Sequence, residues 1–356
     1  MDPRWGRLGK LLVEHSTKVQ AGERVLIAMN EVNTLPLVQA VYRAAVAAGA
    51  YVQVQFTSET LRRSLLKYGN ADQIDWVPEM EAWAMDWADV YIGLRGAHNL
   101  YELQDLPAAA VAANQKAMGK ISTLRWEKTR WCLVRVPDES FAQQARTDLE
   151  TVLDMFFASC FLDWEAETAK WDRWAAKLNA GRTVRLIGAG TDLSFSVAGR
   201  RWIPFGGINN MPDGEIATAP VNGTEDGTIF FEFPGVLAGR LVKDIRLTWE
   251  KGTLIRAESG TEQDFLRSIL DRDDGARRIG EFALGTNPYV DRFCQDILID
   301  EKIGGTVHIA LGRAYPECGG TNQSAIHWDI IKDTRTEGLV YLDGVPILER
   351  GKILLD

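Results

Sequence analysis

At 356 residues and 46% hydrophobic content, the chain can bury a large core and has the length of two domains rather than one small module. Its 40 Lys and Arg against 49 Asp and Glu, with no long basic run, give a polyanion nothing to bind, so no nucleic-acid partner is expected. The opening MDPRWGRLGKLLVEHSTK lacks a signal-peptide core, no stretch nears the ~18 apolar residues of a membrane span, and Cys132, Cys160, Cys294 and Cys318 form no CxxC; a soluble, cytoplasmic chain with no membrane contact, disulfide framework or thiolate zinc site is expected.

In chain order, RVLIAMN (24–30) predicts a buried strand and LPLVQAVYRAAVAAGA (35–50) an Ala-rich helix stopping near Gly49. YVQVQF (51–56), DVYIGLR (89–95) and WCLVRVP (131–137) predict further strands, with helices over 59–68, 76–88 and 107–118 between them. Such alternation implies a doubly wound parallel sheet. A long helical region over 140–178 places Trp164, Trp171 and Trp174 on one face, where they would pack between domains or subunits. After Gly181 the texture becomes short alternating strands and Gly-rich turns: TVRLIGAGTDLSFSVAGRRW, GTIFFEFP, LVKDIRLTWEKGTLIRAES and GLVYLDGVPIL. Gly188-Ala-Gly190 reads as a hairpin turn, because Leu193 stands where a nucleotide fingerprint needs a third glycine and no helix follows. The expected fold is α/β: a doubly wound domain over 1–180, then a β-rich α+β domain over 181–356.

Between Asp300 and Ile330 lie two of the four histidines, close in sequence to Glu301, Tyr315 and Asp329. In His327-Trp328-Asp329 the imidazole and carboxylate stand two residues apart, so on a strand they share a face and can grip one ion. His308 lies in the apolar run VHIALG. Either motif alone could be an ordinary buried histidine or His–Asp pair. Nitrogen and oxygen donors without thiolate suit Zn²⁺, Mn²⁺, Co²⁺ or Fe²⁺. Upstream, MPDGEIATAP and IGEFALGTNP each set a glutamate, Glu215 and Glu281, beside a glycine. Two dications ~3.5–4 Å apart repel unless anionic oxygens bridge them, so an excess of carboxylates points to a dinuclear centre.

Together and in this order, MPDGEIATAP, IGEFALGTNP, DEKIGGTVHIALGRAY and NQSAIHWD resemble the metallopeptidase family of thermophilic aminopeptidase T, aminopeptidase S and PepS, specifically from about residue 185 onward and only in general pattern before it. The resemblance implies a cytoplasmic, homodimeric aminopeptidase or related amide hydrolase acting on a small-molecule or peptide substrate with a free amine. Its ligands to two divalent ions (Zn, Co or Mn) would be Glu215, Glu281, Glu301, His308, His327 and Asp329, with Glu281 bridging. Tyr315 falls on the family's active-site tyrosine, and Glu215 or Glu281 would shuttle a proton while metal-bound hydroxide attacks the amide. The loop between His308 and His327, and the chain as a whole, are shorter than in the large members of the family, which bears on selectivity rather than on metal binding.

A similar fold is expected to serve 2,5-dihydroxypyridine 5,6-dioxygenases, in which one Fe(II) is held by two histidines and a carboxylate. His327, Asp329 and, from GLRGAHNLYE, His98 could fit that site. Against it, Glu281 occupies a position where the dioxygenase is expected to carry histidine, and the PDGE glutamate is kept. His98 more simply reads as a surface-loop residue. A non-catalytic, metal-stabilised protein is the third reading, disfavoured because structural sites are closed mononuclear sets.

Overall fold

The computed structural model describes residues 2–356, which form two compact units: the chain up to Phe161 together with Gly207–Pro212, and Leu162–Gly206 together with Asp213–Asp356. The first unit is built on a five-stranded parallel sheet in the order Tyr51–Thr57, Arg24–Asn30, Val90–Arg95, Arg130–Arg135, Asn210–Met211. The chain steps from Arg24–Asn30 to one neighbour and then back to the other, the reversal that defines a doubly wound sheet. Val25, Leu26, Ile27, Ala28 and Met29 are all buried, as a parallel strand covered on both faces requires. Side-chain caps start several of the helices: Ser58, Asp138 and Asp148 accept from the backbone N–H groups of Thr60, Phe141 and Thr151, and Asn70 with Gln73 closes a capping box.

The helical region expected over 140–178 is broken into Glu139–Gln144, Leu149–Cys160 and Trp164–Leu178, the last two starting at the capping aspartates Asp148 and Asp163. The third of these helices packs against the short strand Ile203–Phe205 and belongs to the second unit. The compact units therefore divide before this helix, at Phe161, rather than after it. Its indoles explain why: Trp164 and Trp171 are buried with ring centroids 6.3 Å apart, and Trp174 donates its Nε1–H to Asp356 at 3.0 Å. The tryptophan face is thus buried within the single chain, without a partner subunit.

The second unit contains an eight-stranded antiparallel sheet in the order Thr253–Glu258, Arg246–Glu250, Asp226–Phe230, Thr191–Ser196, Thr183–Gly188, Leu339–Leu342, Val345–Glu349, Lys352–Ile353. Thr183–Gly188 and Thr191–Ser196 form a hairpin with Gly190 at φ +57, so the Gly-Ala-Gly motif is a turn. Along these strands Val184, Leu186, Leu193 and Phe195 point inward between more exposed neighbours. A second, five-stranded antiparallel sheet runs His327–Lys332, Val307–Gly312, Ile279–Gly285, Glu215–Thr218, Ile203–Phe205. The two sheets meet through aromatic side chains: Phe282 lies edge-on to Phe195 at 5.2 Å and to Trp202 at 5.9 Å, contacts of about 0.5–1.5 kcal/mol each beyond area burial. All four cysteines are buried thiols outside any disulfide, and among the described residues no helix is long and apolar enough to cross a membrane.

Candidate metal centre

The five-stranded sheet sorts its side chains by parity. Phe282 faces the aromatic core, so Glu281, one residue earlier, faces the other way. The register places Glu281 opposite Ala310, Ala310 opposite Asp329, Gly312 opposite His327, Ala283 opposite His308 and Gly285 opposite Glu215. Paired residues, and residues two apart, share a face, so Glu215, Glu281, His308, His327 and Asp329 all project from one side. Between them stand Ala217, Ala283, Ala310 and Gly312, whose small size leaves room for the longer polar groups to converge. Ile279–Gly285 and Val307–Gly312 are buried at every position, which keeps the polar face away from water. Glu301 joins from the end of the short helix Ile297–Asp300.

These six side chains form two ligand-competent groups, Glu215 with Glu301 and His308, and Glu281 with His327 and Asp329; within each, one donor atom per residue lies within 4.8 Å of the others. Glu281 joins the groups. Its Oε1 is 3.6 Å from His308 Nε2 and its Oε2 is 3.2 Å from His327 Nε2. Glu215 Oε2 lies 3.4 Å from His308 Nε2, and Asp329 Oδ1 3.3 Å from His327 Nε2. Donors at 2.0–2.2 Å around one tetrahedral ion are ~3.4 Å from one another, so these separations match the edges of a metal coordination shell.

The donor chemistry fits a cation as well. His327 Nδ1 lies 2.7 Å from the Arg313 carbonyl, which can only accept; Nδ1 therefore carries the proton and a neutral ring turns a lone pair on Nε2 toward Glu281 and Asp329. Three lone pairs facing one another need a proton or a metal ion. Glu215 Oε2 and Asp329 Oδ1 are buried with no formed hydrogen bond. Without metal, protons do this work. Burial disfavours charge on His308, but the neighbouring carboxylates of Glu281 and Glu215 outweigh it and lift its pKa to about 9. His327 is likewise held well above its usual value, burial being overcome by Asp329 and Glu281. Burial pushes Glu215 up to about 8 despite Lys302, and raises Glu301 as well. Burial also works against charge on Glu281 and Asp329, yet the imidazoles hold both below the ordinary range, Asp329 at about 2.

Tyr315 stands beside the cluster with its ring centroid 5.0 Å from that of His327, and burial plus the surrounding carboxylates push its hydroxyl pKa well up. His98 lies in the first unit, largely exposed, with Nε2 3.6 Å from Glu31, and is not part of either ligand-competent group. Two participants escaped the sequence reading although both sit inside quoted motifs. Lys302, next to Glu301, is wholly buried, and its ammonium reaches Glu301 Oε1 at 2.6 Å, Glu215 Oε1 at 2.7 Å and Asp213 Oδ1 at 3.3 Å. A lysine beside acidic residues normally reads as surface charge, so only its burial reveals it. Asn287 of IGEFALGTNP donates Nδ2–H to the Asp213 carbonyl at 2.7 Å and its backbone N–H to the Lys302 carbonyl at 3.1 Å, tying two motifs together.

The model of the thermophilic metalloprotease family, M29, matches residues 1–352. The chain belongs to this family. It is therefore a metal-dependent hydrolase. Aminopeptidase T of Thermus thermophilus is 26% identical over 402 residues, covering 97% of each chain. The solved structure of wild-type AmpT from Thermus thermophilus matches with a TM-score of 0.87 at 25% identity over 99% of both chains. That of 2,5-dihydroxypyridine dioxygenase from Pseudomonas putida KT2440 matches less well, with a TM-score of 0.61 at 16% identity over 98% of this chain and 96% of that one, a likeness of fold alone. The mixed α/β architecture expected from the sequence is the architecture of this M29 chain.

Proposed function

We propose that this M29 hydrolase is an aminopeptidase that releases an N-terminal residue from a peptide or small amide, with its chemistry in the β-rich part, 181–356, which follows an α/β part, 1–180, in the chain. The proposed ligands are Glu215, Glu301 and His308 for one ion and His327 and Asp329 for the other, with Glu281 shared. What supports this reading is Glu281, which turns one oxygen to each imidazole and so links two ligand groups. Two divalent ions (Zn, Co or Mn), when bound, would acidify a water at neutral pH and polarise the amide carbonyl.

The remaining work falls to the chain's own side chains. Tyr315, its hydroxyl pKa pushed upward, stays protonated at neutral pH and can donate a hydrogen bond to the oxyanion that develops on the carbonyl. Both Glu281 oxygens face imidazoles, and Glu215 Oε2 faces the His308 imidazole at 3.4 Å. Glu215 or Glu281 would carry the proton to the leaving amine. The buried sheet face keeps bulk water from the reacting groups.

The deciding experiment is an anaerobic assay with an aminoacyl-arylamide on protein loaded with Zn²⁺, Co²⁺ or Mn²⁺. Hydrolysis without oxygen is expected, because no step changes an oxidation state. Tyr315→Phe should keep its metal and lose about 10²–10³ in kcat, the usual effect of removing one oxyanion donor. Oxygen uptake with a hydroxypyridine, in the presence of iron only and unaffected by Tyr315→Phe, would establish the dioxygenase instead. The same proposal takes the protein as a cytoplasmic homodimer, and a monomer by light scattering at micromolar concentration would refute the dimer alone.

A further inference from the structure

Lys302 is neither a proposed ligand nor a proton carrier, yet its ammonium is wholly buried among the carboxylates of one half of the centre. It occupies Glu215 Oε1 at 2.7 Å and Glu301 Oε1 at 2.6 Å, leaving the second oxygen of each to meet an ion or a proton. Its position is fixed from the backbone: the Lys302 N–H donates to the Ile299 carbonyl and its own carbonyl accepts from the Asn287 N–H, each at 3.1 Å. The other half is built differently. Glu281 and Asp329 form ion pairs only with imidazoles among the described residues, not with a lysine or arginine.

Resting on the two-ion reading above, we propose that Lys302 is a resident counter-ion that makes the two metal positions unequal. The Glu281, His327 and Asp329 position fills first and tightly; the Glu215, Glu301 and His308 position, sharing two carboxylates with a fixed cation, fills second and exchanges its ion. The cause is electrostatic. A dication entering the second position is repelled by an ammonium already in hydrogen-bond contact with both of its carboxylates, in a site too dry to screen the repulsion. Asp213 returns part of that charge at 3.3 Å from the ammonium but is not in the ligand group. The same ammonium helps keep the empty centre folded, since without it Asp213, Glu215 and Glu301 would lose the one cation that touches all three.

The test is a Zn²⁺ titration of chelator-stripped protein, followed by native mass spectrometry and calorimetry, with thermal melts of the stripped and loaded forms. The wild type should bind two ions in steps at least about tenfold apart in affinity. His327→Ala should remove the tight step and His308→Ala the weak one. Lys302→Met should tighten the weak step by about tenfold or more, leave the tight step in place, and lower the Tm of the stripped protein more than that of the loaded one. Lys302→Arg, which keeps the charge, should retain unequal steps. Equal steps in the wild type, loss of the tight step in His308→Ala, or a Lys302→Met protein whose weak step is unchanged would each overturn the proposal. If Lys302→Met does not fold, the order of filling in the wild type and the two histidine variants decides it. A wild type that never takes more than one ion refutes the two-ion reading itself, a result visible in the stoichiometry before any variant is made.

Discussion

The two faces of the five-stranded sheet share the same strands and the same pairing but have opposite tasks. On one face Phe282 packs against Phe195 and Trp202; on the other, one residue away, Glu281 sits between two imidazoles. The apolar face gains stability by burying carbon, at about 25 cal/mol per Å². The polar face spends some of it, holding Glu215, Glu281, Glu301, His308 and Lys302 away from water in an arrangement stable only while protons, Lys302 or metal ions balance the carboxylates. The lesson is that a strand's period of two lets one short segment serve as scaffold and as chemistry without either side chain interfering with the other.

That separation can be broken by substitution on each face. Glu281→Ala has the largest expected effect: losing the shared carboxylate removes several kcal/mol of transition-state stabilisation, more than ~10³-fold in kcat, and lowers metal stoichiometry measured after gel filtration. Phe282→Ala should do the reverse, costing about 3–5 kcal/mol of unfolding free energy by denaturant titration while leaving the metal count intact in the folded fraction. If Glu281→Ala destabilised the metal-free fold as much as Phe282→Ala, the two faces would not be separate in function.

A pH series sharpens the comparison on the polar face alone. His308 in the metal-free centre titrates at about 9, raised from 6.5, so its interactions stabilise the metal-free fold fully below 6.5 and are lost as pH rises through 9. A metal ion must displace that proton, so affinity at this position should fall about tenfold per unit as pH drops below 9, read by competition with a chelator. An affinity flat between pH 9 and 7 would mean that His308 is not a ligand. The smallest effect is expected outside the sheet: His98→Ala, on the exposed surface of the first unit, should change kcat/KM less than about twofold.

Much of the chain could be read directly. Strand–helix alternation, read as strands over 24–30, 51–56, 89–95 and 131–137, located the observed strands at 24–30, 51–57, 90–95 and 130–135 because each is a short apolar or alternating run, a local property. The helix 107–118 was placed correctly but read too short; it extends over Ala108–Lys128, past the point where its apolar spacing weakens, held by neighbours rather than by its own pattern. Asn210–Met211, the fifth strand of the parallel sheet, could not be found, since two residues carry no periodicity and their partner, Arg130–Arg135, lies far back in the chain. The quoted motifs brought together the six candidate ligands and Tyr315, but Lys302 and Asn287 inside the same motifs were assigned no role.

By itself the sequence determined the classes of element, the candidate donor types and the family, because propensity, two-residue spacing and motif order are carried along the chain. Only the tertiary structure decided that Glu215, Glu281, His308, His327 and Asp329 share one sheet face, that Glu281 turns an oxygen to each imidazole, and that Lys302 lies buried among their carboxylates. The reason is register and burial: pairing between strands distant in sequence sets which side chains meet, and the removal of water sets what their charges are worth.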